Sequence, residues 1–397
     1  MYIDSLMWGL TSLGDRMKVL AIVGADEEQP ARLLETYGPL AIPFHMVQDT
    51  KPNNWLGRKC VSLLEILRCL SPNWRRVLER TSFFEASTAS IAKLQRLLSD
   101  ENPTVAVFVH FNAKLYPLAL ALLERQIPYG IIAHGLEVRR PRRNRKNDLV
   151  IRGLMLNGAS WIAANSHYTK SLLEMWSIPS DRVKVIYPPM SEEAMRESAA
   201  LERMCRDDDD LRLLTVCRLV KGKGIDIVLR ALDTLAVRGI PFRYIIGGEG
   251  PERKPLEALA GELGLGDKVH FQGSVVGDEK WCLFRNADVF VMPSRLDSTI
   301  PWQESFGIAF VEAAAFGVPA VGSRSGGIPD AVVDGETGIL VPEESPVDLA
   351  DALTFLYRKP ETRKEMGRAA RERARGQFSP KAIAARFREE VSKGVRQ

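Results

Sequence analysis

Two hydrophobic rhythms alternate along the chain. Short apolar runs, Val19–Val23, Val105–Val109, Tyr129–Ala133, Trp161–Ala164 and Val183–Tyr187, are separated by longer stretches whose apolar positions recur at helical spacing. Unbroken apolar runs suit strands buried on both faces, and their alternation with helices predicts a parallel sheet. After this the rhythm is interrupted by Pro188-Pro189, Ser191-Glu192-Glu193 and the acidic run Asp207–Asp210, which predict a linker carrying a helix. It resumes with Leu211–Val216, Arg243–Gly247, Lys268–Phe271, Val289–Met292 and Ala320–Gly322, a second parallel sheet. From Glu361 onward, charges surround Met366, Ala370, Phe378, Ile383 and Phe387, a helical pattern that Pro380 breaks. The expected organisation is an α/β domain over residues 1–189, a linker over 190–210, a second α/β domain over 211–377, and a helix over 378–397 packing back on the first domain. Ligands of open α/β sheets sit at the carboxyl ends of strands, so a cleft between the two domains is the expected site.

Composition narrows the class. A chain of 397 residues with 45% hydrophobic and 26% charged positions has enough apolar material for two cores, which excludes a disordered or collagen-like chain. The 54 Lys and Arg against 50 Asp and Glu leave a formal charge of +4, too small for a general nucleic-acid binder. Cys60, Cys69, Cys205, Cys217 and Cys282 are scattered without a C-x-x-C pair, which suits reduced thiols in the cytosol and argues against zinc. The opening ten residues place Asp4 where a signal peptide needs bases. No apolar run approaches the roughly 20 residues of a membrane span. A cytoplasmic protein, soluble or resting on the inner face of a membrane, is expected.

Four features of the second half carry chemistry. Arg218 and Lys223 flank a turn just ahead of a helix, where cations can meet a phosphate. Gly247-Gly248-Glu249-Gly250-Pro251 follows a strand, and such a turn lets a ligand approach the backbone, Gly248 in particular. In Glu304-Ser-Phe306-Gly307-Ile308-Ala-Phe-Val-Glu312 two carboxylates stand eight positions apart, which on one helix means about 12 Å along a shared face. A helix starting near Phe306 offers free N–H groups and a positive dipole end to a diphosphate; Glu312, further along it, and Glu304, ahead of it, can accept hydrogen bonds from vicinal hydroxyls on either side of the phosphates. Ser323-Arg-Ser-Gly326-Gly327-Ile-Pro329 and Asp334-Gly335-Glu-Thr-Gly338 complete the set. The layout fits a nucleotide sugar.

In this order the motifs resemble glycosyltransferase family 4, the retaining, nucleotide-sugar-dependent enzymes of GT-B architecture, over most of the chain. The resemblance implies two Rossmann-like α/β domains facing an interdomain cleft. It implies Arg218 and Lys223 on the donor phosphates, Glu304 on the donor sugar and Glu312 on the ribose. Backbone groups of Phe306, Gly307 and Ile308 would touch the sugar and distal phosphate, and Ser274 and Val275 would lie near the base. In the first half, Gly130-Ile-Ile-Ala-His134 is a strand ending in a histidine, which in related enzymes points into the cleft beside the donor sugar. His134, Glu304, Arg218 and Lys223 are the expected catalytic set, with His110 a second candidate on the acceptor side. The implied reaction moves a glucosyl- or mannosyl-type hexose from a UDP- or GDP-sugar to a glycan or lipid-linked acceptor with retention, in cell-surface polysaccharide, lipopolysaccharide or glycolipid synthesis. It needs no metal ion and no cofactor besides the donor. One departure stands out: residues 1–16 read as the family's first helix and Met17–Gly24 as its second strand, so the opening strand and glycine-rich loop are expected to be missing.

Other readings compete. A nucleotide-sugar 2-epimerase shares the architecture, and a non-catalytic GT-B-like subunit would bind a glycan. Asp-x-Asp within Asp207–Asp210 matches a metal-binding spacing but reads as solvated charge in a linker. Gly248-x-Gly250 lacks the third glycine of a dinucleotide fingerprint. The run Arg139–Lys146 suits an anionic partner such as a charged acceptor. Residues Trp55–Arg76 mix aliphatics, tryptophans and bases, and read equally as a membrane-surface helix or a core-facing helix with a basic outer side.

Overall fold

The computed structural model describes residues 19–23, 45–48, 105–109, 116–139, 146–199, 209–297 and 303–395. They form two α/β units, one holding the described residues up to Ile186 together with those from Ala384 on, the other spanning Tyr187–Ile383.

The first unit is built on strands β1 (Val19–Val23), β2 (His45–Gln48), β3 (Val105–Phe108), β4 (Tyr129–Ala133), β5 (Trp161–Ala164) and β6 (Val183–Val185), all parallel in the order β2-β1-β3-β4-β5-β6. Strands β3, β4 and β5 are buried along their whole length, as their apolar runs require. Helices Tyr116–Glu124, Lys146–Gly158 and His167–Glu174 connect them, the last capped by Ser166, whose hydroxyl accepts from the Thr169 N–H at 3.0 Å. Strand β2 went unrecognised in the sequence. The residues before Val19 lie outside the described residues, and with them the expectation of a missing opening strand and loop.

In the second unit, β7 (Leu211–Val216), β8 (Phe242–Gly247), β9 (Val269–Gly273), β10 (Val289–Met292), β11 (Ala320–Ser323) and β12 (Gly338–Val341) run parallel in the order β12-β11-β10-β7-β8-β9. The order reverses between β7 and β10, the point at which doubly wound sheets open a crevice at their carboxyl edge. Strand β12 is a sixth strand where the sequence reading saw only a turn, and it pairs with β11 from Ala320↔Gly338 onward. One face of the sheet is covered by helices Ile225–Val237 and Pro346–Arg358, whose Leu229, Leu232, Leu353 and Leu356 are fully buried. On another side, Trp281, Phe284, Phe290, Phe310 and Phe316 form an aromatic core with ring separations from 5.2 to 6.3 Å.

The chain leaves the first unit after Ile186. The helix expected in the linker is Glu192–Glu197, with Ser191 as its cap. The charged tail forms helices Pro360–Gln377 and Pro380–Val395, broken before Pro380. Near the break, the Phe378 carbonyl accepts the Met190 N–H at 2.8 Å. Phe387 then returns to the first unit, edge-on to Trp161 at 5.4 Å. Among the described residues no helix is long and apolar enough to cross a membrane. Residues Trp55–Arg76 lie outside the described residues.

Candidate active site

The loops at the carboxyl edge of the second sheet interlock through main chain. After β8, Gly248 takes φ +140, and a Cβ there would stand 1.8 Å from the Cys217 carbonyl oxygen at the end of β7. Gly250 likewise leaves no room for a Cβ beside the Leu219 carbonyl, at 2.2 Å. The Leu219 N–H donates to Glu249 O at 2.9 Å, and the Gly248 N–H to Gly273 O at 2.6 Å. Ser274 is exposed just past β9, while Val275 is buried against Gly247.

Arg218 is exposed on this edge, and its side chain makes no hydrogen bond or ion pair among the described residues. Lys223 sits differently. The loop turns at Gly224, with φ +71, into helix Ile225–Val237. The turn is held from the loop after β10, where the Arg295 N–H donates to Gly222 O at 2.8 Å and the buried Arg295 guanidinium forks onto both Asp226 oxygens at 3.0 Å. Lys223 Nζ then donates to Glu304 Oε2 at 2.5 Å, with the side chains 14% and 12% exposed. Cys217 lies near this pair. Burial pushes its thiol up to about 12, with Lys223 opposing the rise and Glu304 adding to it.

Glu304 precedes the helix, as its place ahead of Phe306 implies. Helix Ile308–Ala315 starts at Gly307, whose φ of +96 would push a Cβ to 2.6 Å from Phe310. The shared helical face expected for Glu304 and Glu312 therefore does not hold, because only Glu312 is in the helix. The Glu304 backbone is instead clasped by the next turn: Gly327 N–H donates to Glu304 O at 2.8 Å, and Gly326, at φ +52, brings its Cα so close that a Cβ would sit 2.1 Å from the same oxygen. The arrangement gathers Lys223, Glu304, buried Phe306 and Gly307, and half-buried Ile308 around one helix N-terminus, whose first N–H groups have no intrahelical acceptor.

Glu312 is buried and pairs with a residue the sequence reading passed over. Lys280 Nζ donates to Glu312 Oε1 at 2.7 Å. Burial raises the pKa of Glu312, and Lys280 opposes the rise. The signal in the sequence was slight, a single lysine beside Trp281 in an otherwise ordinary helix.

His134 lies in the first unit, immediately after β4. Its Nε2 is 2.9 Å from Val109 O; a carbonyl only accepts, so Nε2 carries the proton. The Asn165 side-chain amide donates to His134 O at 3.0 Å, and the His134 N–H donates to Glu137. His110 and Arg140–Arg145 lie outside the described residues. Asp210 pairs with Arg243 at 2.8 Å, whereas Asp207 and Asp208 lie outside the described residues. Among the described residues no group of three His, Cys, Asp or Glu is placed to hold a metal ion.

Two parallel α/β units, the second doubly wound with cations, a carboxylate and a helix N-terminus at its switch point, define a GT-B-type protein. The model described as "Glycosyltransferase Family 4" matches residues 2–193 and that described as "Glycosyl transferases group 1" matches residues 202–373; the chain belongs to glycosyltransferase family 4. It is 31% identical over 235 residues to a GDP-mannose-dependent alpha-(1-6)-phosphatidylinositol monomannoside mannosyltransferase of Mycobacterium tuberculosis, a match covering 58% of this chain and 61% of that protein. It is 33% identical over 240 residues to a D-inositol 3-phosphate glycosyltransferase of Paenarthrobacter aurescens, covering 58% and 56%. The chain thus spans about three fifths of the length of the curated relatives it matches. In fold it is similar to Anabaena HepE in complex with UDP and glucose, with TM-score 0.65 and 18% identity over 95% of this chain and 100% of that one. A glycosyltransferase of Rickettsia africae gives TM-score 0.69 at 17% identity, covering 96% and 99%.

Proposed function

We propose that the protein is a retaining glycosyltransferase that moves a glucosyl- or mannosyl-type hexose from a UDP- or GDP-sugar to a hydroxyl of a glycan or lipid-linked acceptor. The carrying observation is the Lys223–Glu304 pair beside the Gly307-started helix, with Arg218 exposed at the same sheet edge. A cation, a carboxylate and free N–H groups are the three partners that a sugar diphosphate needs. The GDP-mannose dependence of the mannosyltransferase relative and the UDP bound to HepE support a nucleotide-sugar donor. Two relatives are named for inositol-containing acceptors that carry phosphate, which supports an anionic acceptor at the basic run that opens with Arg139. We place the reaction in cell-surface glycan or glycolipid synthesis on the cytoplasmic side, with any membrane contact peripheral.

In this reading the bond between the anomeric carbon and the diphosphate oxygen breaks while the acceptor oxygen attaches on the same face. The acceptor's proton passes to an oxygen of the departing diphosphate. Arg218, Lys223 and the N–H groups at Ile308 take up the charge developing on that diphosphate, a task that preorganised donors perform without a metal ion. Glu304 orients the donor sugar, and Glu312 holds the ribose. His134 takes the role on the donor sugar that the resemblance implies.

The test is nucleotide release from a panel of UDP- and GDP-sugars with EDTA present, comparing wild type with Glu304→Gln. Slow release from one donor that persists in EDTA and disappears in the variant supports the reading and names the donor. Interconversion of the sugar without release points to an isomerase, and absence of both donor binding and release to a non-catalytic glycan binder.

A further inference from the structure

Helix Gly277–Asn286 begins just after Ser274–Val276, and Lys280 in its first half reaches helix Ile308–Ala315. Lysine is rarely buried without a partner, yet the Lys280 side chain is only 14% exposed and ends 2.7 Å from Glu312, itself 4% exposed. Its ammonium also lies 4.6 Å from the centre of the Trp281 ring. Trp281 is fixed in turn: it stacks on Phe316 and its Nε1–H donates to Glu193 Oε1 at 3.1 Å. Among the described residues the charged groups acting on Glu312 are thus Lys280, from helix Gly277–Asn286, and Glu193, from helix Glu192–Glu197, with opposite signs.

The arrangement does work on the carboxylate. Burial favours the protonated carboxyl, and Glu193 pushes the same way. A protonated carboxyl loses acceptor capacity, so a group meant to accept from two hydroxyls has to stay ionised. Lys280 occupies Oε1, and Oε2 makes no hydrogen bond among the described residues.

We propose that Lys280 is a positioning residue for the donor: its ammonium keeps the Glu312 carboxylate in its accepting form and in one orientation, so that the nucleotide's ribose diol is recognised. The inference rests on the reading of Glu312 as the ribose contact. The segment 274–281 would then set both ends of the nucleoside, the base through Ser274 and Val275 and the ribose indirectly through Lys280.

The experiment is calorimetric titration of the full chain with UDP and GDP, each beside its 2′,3′-dideoxy counterpart, for wild type, Glu312→Gln, Lys280→Met, Lys280→Gln and Lys280→Arg. Wild type is expected to prefer the ribonucleotide by about tenfold or more, the value of one or two charge-assisted hydrogen bonds. Lys280→Met and Lys280→Gln lose most of that preference while binding the dideoxynucleotide as wild type does, and Lys280→Arg keeps it. Raising the pH restores the preference in Lys280→Met by ionising Glu312, whereas wild type stays flat over the same range. Retention of the preference in Lys280→Met, with its loss in Glu312→Gln, overturns the inference. Equal weakening of both nucleotides in Lys280→Met also overturns it, because Lys280 then acts on phosphate, base or fold. A Glu312→Gln variant that keeps the wild-type preference overturns the ribose reading itself, and the inference with it.

Discussion

Replacing Gly326 by alanine tests whether the Glu304 backbone is held where the chemistry needs it. Gly326 has φ +52, so an alanine there pays the left-handed cost of about 1–2 kcal/mol. Its Cβ would also stand 2.1 Å from the Glu304 carbonyl oxygen, against an ordinary contact of 3.4 Å or more. The carbonyl has to retreat by about 1 Å, which also pulls it from the Gly327 N–H that it accepts at 2.8 Å. A displacement of about 1 Å at a positioning group costs on the order of a hundredfold in rate. Gly335 supplies the control. It has φ +77 and nothing within 4 Å of its absent Cβ, so Gly335→Ala pays the same backbone cost without the collision. The expected result, from initial rates of donor turnover and urea unfolding midpoints, is a loss of kcat/KM of about a hundredfold for Gly326→Ala and of less than about twofold for Gly335→Ala, with both less stable than wild type. Wild-type kcat/KM in Gly326→Ala, with stability no lower than in Gly335→Ala, refutes the reasoning.

Three other outcomes follow from the same structure. Lys223→Ala should lose about 3–4 kcal/mol of transition-state stabilisation, a hundredfold or more in kcat, and a normal turnover number would remove Lys223 from the diphosphate. Burial tends to raise the pKa of Asp334, but the Leu340 N–H at 2.7 Å and the Arg324 guanidinium outweigh it and hold the carboxyl below its ordinary value. A lowered native pKa gives stability that is present at neutral pH and lost as pH falls through that pKa. Asp334→Asn should therefore be less stable than wild type at pH 7 by up to about 1 kcal/mol, with the gap closing below pH 4; a gap unchanged with pH contradicts this. Cys217, pushed up to about 12, should resist iodoacetamide at pH 8 while exposed Cys282 is alkylated, as mass mapping of the two peptides will show. Equal labelling of both would mean that the β7 end is open.

Much of the fold was legible because buried parallel strands announce themselves as unbroken apolar runs. Val19–Val23, Tyr129–Ala133, Leu211–Val216 and Val289–Met292 occupy the residues that their pattern marks. Strand Gly338–Val341 hid because it opens on the glycine that closes the preceding turn, and the turn chemistry masked the strand. The donor-side motifs were visible as types and order, since Lys223, Glu304, Gly307 and Glu312 stand in characteristic strings. The helix start near Gly307 was legible too, but with Glu304 ahead of that start the carboxylates at 304 and 312 share no helical face, which an eight-residue spacing alone does not reveal. Partners distant in sequence were equally hidden. Lys280 lies 32 positions from Glu312, and Arg295 lies 69 positions from Asp226. Nothing local distinguishes either from a solvated charge, because the contact exists only once two separate helices or loops have packed.

The return of the chain to its first unit has a consequence for how the molecule is made. Trp161 meets Phe387 edge-on, and Lys184 comes within 4.0 Å of Glu390, so the first unit draws on residues near the end of the chain. During synthesis, Tyr187–Ile383 is a continuous stretch that can complete its own sheet while the first unit still waits for its last helix. The part made first is finished last, and a chain cut before Ala384 would hold the stretch that completes the second sheet while the Trp161 ring, resting on Gly130, lacks its edge-on partner Phe387.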